Sequence, residues 1–170
     1  MTTSTTSLAR LFRQLMYVSM IQSRWLNKAV KARWSDDIAQ AEIGHAGEIC
    51  VIVENHLPIS SAYHQDCAER AIDLFALHRV WDTEYNTGVL IYLNLCEHQL
   101  QIVADRGIDQ AVGEQAWQAL CDQALTQCRA GDMPSAISRL IHQVGGLLAT
   151  HQPSDDVMGN ELLNRVTFIR

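Results

Sequence analysis

Asp82, Glu84 and Asp105, with Asn86 and Arg106 beside them, are the residues of this chain whose types and spacing could do chemistry. They flank two apolar runs, Val89–Leu95 and Leu100–Ala104, that are separated by the short polar break Cys96-Glu97-His98-Gln99. Two apolar runs around such a break predict a β-hairpin. A hairpin reverses direction, so the start of its first strand lies beside the end of its second. That places Asp82, Glu84, Asn86, Asp105 and Arg106 at one rim of a sheet. Oxygen ligands gathered on loops suit a hard cation such as Ca²⁺ or Mg²⁺, and Asp82, Glu84 and Asp105 are the candidate metal ligands. Arg106, placed just before a helix, is a candidate phosphate-binding residue. Both assignments compete with a plainer reading. Asp82, Thr83 and Asn86 are also ordinary turn formers, and Asp105 and Asp109 could simply balance Arg106.

The elements that must hold this rim can be read in order. Leu8, Leu11, Phe12, Leu15, Val18, Trp25, Leu26 and Val30 recur at helical spacing, which predicts one long helix or two from Leu8 to Ala32. Ser35 is the expected cap of a following helix, with Asp36 and Asp37 in its first turn and Gly44 and Gly47 at its end. Ile49–Val53 is a short β-branched run suited to a strand buried on both faces. Ser60 or Ser61 is the expected cap of a helix running to His78, with Ala68, Ala71, Ile72, Phe75 and Leu77 as its stripe. Strand, helix, strand implies a right-handed crossover, so Ile49–Val53 and Val89–Leu95 should be parallel neighbours. One helix is expected over Val112–Arg129. A second is expected after Asp132, with Pro134 in its first turn and an inward stripe from Ile137 to Leu148. Val166–Ile169 could form a short edge strand. The fold class is α/β: a three-layer α/β/α sandwich with a small mixed sheet and an added N-terminal helical arm.

Composition narrows the function classes. The chain of 170 residues is 48% hydrophobic and carries a net charge of −6, which suits one globular domain. Residues 1–34 hold Arg10, Arg13, Arg24, Lys28, Lys31 and Arg33 and no acid. They are read as a basic amphipathic arm and residues 35–170 as the domain proper, with the Thr/Ser-rich tip from Thr2 to Ser7 disordered. The arm either complements an acidic body or contacts a partner: another protein, a second copy, or a membrane surface. Cys50, Cys67, Cys96, Cys121 and Cys128 form no CxxC pattern, so they read as reduced core residues. There is no signal-peptide pattern and no run near the ~20 apolar residues that span a bilayer. The expected location is the cytoplasm, at most peripheral to a membrane. The seven histidines show no zinc spacing, and Walker, GxSxG and nucleic-acid modules are absent. No nucleic-acid partner is expected.

Three segments carry a family resemblance: Trp81-Asp82-Thr83, Asn86-Thr87-Gly88-Val89-Leu90-Ile91, and Ala104-Asp105-Arg106-Gly107-Ile108. Together with Asn160-Glu161-Leu162 they resemble the TPM domain family, in particular a small bacterial branch, over about Ile43 to Leu162. That family includes a thylakoid-lumen phosphatase-like protein. The resemblance implies an α/β/α sandwich, divalent-cation binding at the rim and a metal-dependent acid phosphatase-like activity. The alternative is a non-catalytic interaction module that engages a membrane-associated or stress-related partner through its N-terminal helix.

Overall fold

The computed structural model describes residues 6–17, 25–153 and 166–169. Its elements are α1 (Leu8–Met16), α2 (Lys28–Ala41), β1 (Glu48–Glu54), α3 (Cys67–Leu77), β2 (Gly88–Asn94), β3 (Gln99–Ala104), α4 (Arg106–Val112), α5 (Glu114–Arg129), α6 (Met133–His151) and β4 (Thr167–Ile169). The Asn160-Glu161-Leu162 segment and residues 18–24 of the arm lie outside the described residues, as do Thr2–Thr5 of the tip.

The four strands lie in the order β3-β2-β1-β4. β1 pairs with β2 in parallel, Ile49 opposite Val89. β2 pairs with β3 antiparallel, Val89 opposite Ala104. The crossover and the hairpin read from the sequence are therefore both present, and β4 pairs in parallel with the free side of β1. Alternation splits the sheet's side chains between two cores. Val51, Val53, Val89, Ile91 and Leu93 face α2, α4, α5 and α6. Ile52, Leu90 and Tyr92 face α3 and the loop before it, where Leu57, Ala62, Ala71 and Leu74 close the second core. Two covered faces make the three-layer sandwich.

Several local expectations are corrected. α2 is capped not at Ser35 but at Asn27, whose side chain accepts from the Val30 N–H. Ser35, Asp36 and Asp37 lie inside this helix, and Asp37 there accepts a 2.5 Å hydrogen bond from Ser138 of α6. Trp34 is fully buried and donates to the Pro134 carbonyl. The division at residue 34 thus falls within a helix of the core, because a buried tryptophan outweighs the change in charge along the chain.

α3 starts at Cys67 rather than after Ser60 or Ser61. Asp66 and Glu69 form a reciprocal capping box there, which satisfies two backbone donors at once. Its buried face is Cys67, Ala71 and Leu74, while Ile72 and Leu77 are exposed. The helix expected over Val112–Arg129 is α5, starting at Glu114, and a short further helix, α4, precedes it across Gly113 with φ 85°. Ser7 belongs to the ordered structure as the cap of α1, accepting from the Arg10 N–H. Asp132 caps α6, with Pro134 in its first turn.

The arm departs most from expectation. α1 buries Arg10 and Gln14 and exposes Leu8 (73%), Phe12 (64%), Leu15 (56%) and Met16 (66%). The α1 part of the expected stripe packs on the body only through Leu11, while Trp25, Leu26 and Val30 of the same stripe join the main core. The attachment of α1 is otherwise polar. Arg10 donates to the Ala62 and Tyr63 carbonyls, and Arg13 pairs with Glu97 at 2.5 Å. Arg13 thus complements an acidic side chain of the body, and Arg10 docks on its backbone.

Candidate functional site

The rim forms where β2 begins and β3 ends. Asp105 leaves β3 through a hydrogen bond from its own N–H to the Gly88 carbonyl, 2.8 Å. It then caps α4, its Oδ1 accepting from the Arg106 N–H at 2.7 Å. A carboxylate at a helix N-terminus is held there by the free N–H groups of the first turn. Its other oxygen, Oδ2, is shielded from solvent and has no hydrogen-bond partner. A buried anionic oxygen without a donor is costly.

The loop from Asp82 to Thr87 packs against this turn. Thr83 is buried and its Oγ1 accepts from the Thr87 N–H, while the Thr87 hydroxyl donates to the Ala46 carbonyl at 2.7 Å. Asn86 takes φ 54° in a turn closed on the Thr83 carbonyl. A Cβ on Gly107 would stand 2.6 Å from the Asn86 carbonyl oxygen and 3.1 Å from that of Tyr85. Glycine is required at 107 because the loop backbone occupies that space. Two carbonyl oxygens therefore lie beside the turn that Asp105 caps.

The other rim residues stand apart. Asp82 is exposed and lies 4.0 Å from the exposed Arg79 guanidinium, a geometry that contributes little in water. Glu84 and Arg106 are exposed. Among the described residues no three His, Cys, Asp or Glu side chains group closely enough to hold a metal. The rim thus brings together Asp105, Gly107 and the backbone of Tyr85 and Asn86, and leaves Asp82, Glu84 and Arg106 at the surface. The oxygens gathered at this turn are the Asp105 carboxylate, with its unpartnered Oδ2, and the Tyr85 and Asn86 carbonyls that pack against Gly107. Sequence reasoning looked for side chains, so the backbone part of this set escaped it. The signal available was Gly107 following Asp105-Arg106, which marks a close backbone approach.

The opposite end of the sheet holds a second polar group. Glu54, 1% exposed, accepts from Arg70 in a two-pronged pair and from the Tyr92 hydroxyl at 2.6 Å. Asn94 donates to the same hydroxyl and accepts from the Glu97 N–H. Glu97 in turn accepts from Arg13 and Gln14 of α1, and Gln14 accepts from the Leu57 N–H. Burial and the nearby Glu54 carboxylate push the Tyr92 hydroxyl far above its ordinary range. Burial opposes charge on Arg70, but the Glu54 hydrogen bonds and charge prevail and raise its pKa. These groups satisfy one another. The thiols are equally quiet: burial lifts Cys50 and Cys67 to about 12 and Cys96 and Cys121 to about 11. None is a thiolate near neutral pH.

A mixed four-stranded sheet between helical layers, with a polar loop and a capped helix at one rim, defines an α/β/α sandwich domain whose candidate site is built on loops. The TPM domain model matches residues 20–147, and the chain belongs to that family. The match begins ahead of Ile43 and takes in all of α2, in keeping with the buried Trp34. The fold is similar to the NMR structure of the BA42 protein from the psychrophilic bacterium Bizionia argentinensis, with TM-score 0.74 and 25% identity over 84% of this chain and 94% of that one. It is also similar to the N-terminal domain of a P. gingivalis protein, with TM-score 0.63 and 14% identity over 79% of this chain and 85% of that one. Among curated proteins none matches by sequence. No helix among the described residues is long and apolar enough to cross a membrane.

Proposed function

We propose that this TPM domain binds a hard divalent cation, Ca²⁺ or Mg²⁺, at the rim, with Asp105 as the anchoring ligand. The observation that carries this reading is the buried, unpartnered Oδ2 of Asp105, on a turn against whose Gly107 the carbonyl oxygens of Tyr85 and Asn86 pack. Asp82 and Glu84 lie on the same exposed loop and would add oxygens from the solvent side. A bound cation would polarise a phosphoryl oxygen or lower the pKa of water. Arg106, exposed in the first turn of α4, would bind the phosphate of a monoester. Phosphomonoester hydrolysis is the finer part of the proposal.

The test is thermal unfolding with Ca²⁺ or Mg²⁺ at constant ionic strength, since a ligand of the folded state raises the melting temperature. A concentration-dependent rise that Asp105→Asn abolishes supports the site; an equal response in that variant sinks it. Hydrolysis of a generic phosphate monoester should vanish in Asp105→Asn and fall in Arg106→Gln with the cation response kept.

A second reading is favoured by one observation, the exposed stripe Leu8, Phe12, Leu15 and Met16 on α1. Contiguous exposed apolar side chains mark contact surfaces. In this reading α1 joins the domain to a protein partner, a second copy or a membrane surface, and no chemistry is required. A protein that stays monomeric by light scattering, ignores lipid vesicles and is unchanged in both by Phe12→Ser would discard self-association and membrane contact.

A further inference from the structure

Lys28 and Lys31 are the only lysines of the chain, and both line one cleft of about 590 Å³ between the start of α2 and the edge strand β4. Neither makes an ion pair with a described acidic residue, in a protein whose net charge is −6. Lys28, Lys31 and Ser35 fall at spacings of three and four, so they share one face of α2. Across the cleft stand Val166, Thr167 and Phe168. The Lys31 ammonium lies 4.9 Å over the Phe168 ring, which fixes its position.

The placement of these cations works against the helix. Lys28 is the first residue of α2, whose first turn holds no acid. The N-terminal end of a helix carries partial positive charge and favours anions, so lysines there are electrostatically misplaced unless a negative group joins them. The cleft sets apolar side chains, Val166 and Phe168, beside the polar Lys28, Lys31, Ser35 and Thr167, the mixture found in small-molecule sites. We infer that this cleft binds a small organic anion, a carboxylate or phosphate head group on an apolar body. The head group sits between Lys28, Lys31 and the Ser35 and Thr167 hydroxyls, and the apolar body lies against Val166 and Phe168. The site stands apart from the rim and does not depend on it.

The test is a titration of the full chain, labelled with ¹⁵N, with phenyl phosphate in one arm and benzoate in the other. Benzyl alcohol serves as the uncharged control. Saturable amide shifts confined to Lys28–Ser35 and Val166–Phe168 are expected with at least one anion and not with the alcohol; the arm that binds more tightly identifies the head group. Lys28→Gln should weaken binding about tenfold, as expected for loss of one charge-assisted contact, with the melting temperature unchanged. Lys28→Arg should restore most of it, and Asp105→Asn should leave it intact. No saturable shift at millimolar anion, shifts confined to the rim, or the same affinity in a Lys28→Gln/Lys31→Gln variant would each overturn the assignment.

Discussion

The two ends of the sheet both carry charged residues, but they handle charge in opposite ways. At the end formed by Glu54 and Asn94, the carboxylate is buried and every neighbour donates to it: Arg70 twice over and Tyr92 once. At the end formed by Gly88 and Ala104, Asp82, Glu84 and Arg106 stand in water, and Asp105 keeps one oxygen hidden and unpaired. A closed network stabilises one arrangement and has nothing left to bind with. A half-satisfied carboxylate among turns can take a further partner at small cost. The lesson is that buried charge alone does not mark a site; unspent hydrogen-bonding capacity does.

The sharpest way to break this contrast is at the closed end. Arg70→Ala leaves Glu54 buried without its cation, and a loss of about 3–5 kcal/mol in urea unfolding is expected. Replacing both partners, Glu54→Gln with Arg70→Met, should cost clearly less. Equal losses would mean that the pair's charge is not what matters there.

Asp105→Ala at the open end should cost about 1 kcal/mol, through loss of the cap on α4. Asp105→Asn keeps capping ability and removes the charge, so it should retain most of the stability while losing the cation response. If Asp105→Asn proves more stable than the parent protein without cation and less stable with it, the hidden oxygen is a ligand position.

The turn before β1 adds a pH test on the open side. His45 accepts from the Gly47 N–H through Nδ1 and faces the Ala41 carbonyl through Nε2 at 2.6 Å. Burial lowers its pKa below the ordinary 6.5, against the pull of those two backbone contacts. Between the two values the unfolded chain binds a proton that the folded chain does not. Stability should therefore be full above pH 6.5 and fall as the pH drops through the folded value. His45→Ala should flatten that part of the melting-temperature profile. An unchanged slope would mean that other groups set it.

The smallest effect is expected at Asp82. Asp82→Ala removes an exposed contact at 4.0 Å, and a change within about 0.5 kcal/mol is expected. A larger loss would show that the loop carries structural weight that its exposure hides.

The same contrast explains what could be read from the chain. β1, β2 and β3 were legible because their apolar runs have one interpretation, and the hairpin placed Asp105 beside the loop from Asp82 without any coordinates. The cap of α2 was not legible, because Ser35-Asp36-Asp37 is a good local start signal that the burial of Trp34 overrides. Ser60 and Ser61 misled for a related reason: the capping box of Asp66 and Glu69 satisfies more donors than a lone serine. The Glu54–Arg70–Tyr92 group could not be foreseen, since its members lie on three elements and only the register brings them together. Nor could the orientation of α1, where the polar contacts of Arg10, Arg13 and Gln14 decide which face turns inward. The lysine cleft was invisible because β4 returns to α2 from the far end of the sequence.

That return has a consequence for the order in which the molecule assembles. β1, α3, β2 and β3 follow one another along the chain, so their contacts close short loops. β4 reaches β1 only after α4, α5 and α6 have been laid down, with Thr167 opposite Ile52. Closing so long a loop costs chain entropy, and three residues of pairing repay little of it. β4 is thus the last strand to dock and the first to leave, and amide exchange at Phe168 should be faster than at Ile91 in β2. Any molecule held between α2 and β4 would act as a clasp on that final step, slowing the release of β4 without touching the rest of the sheet.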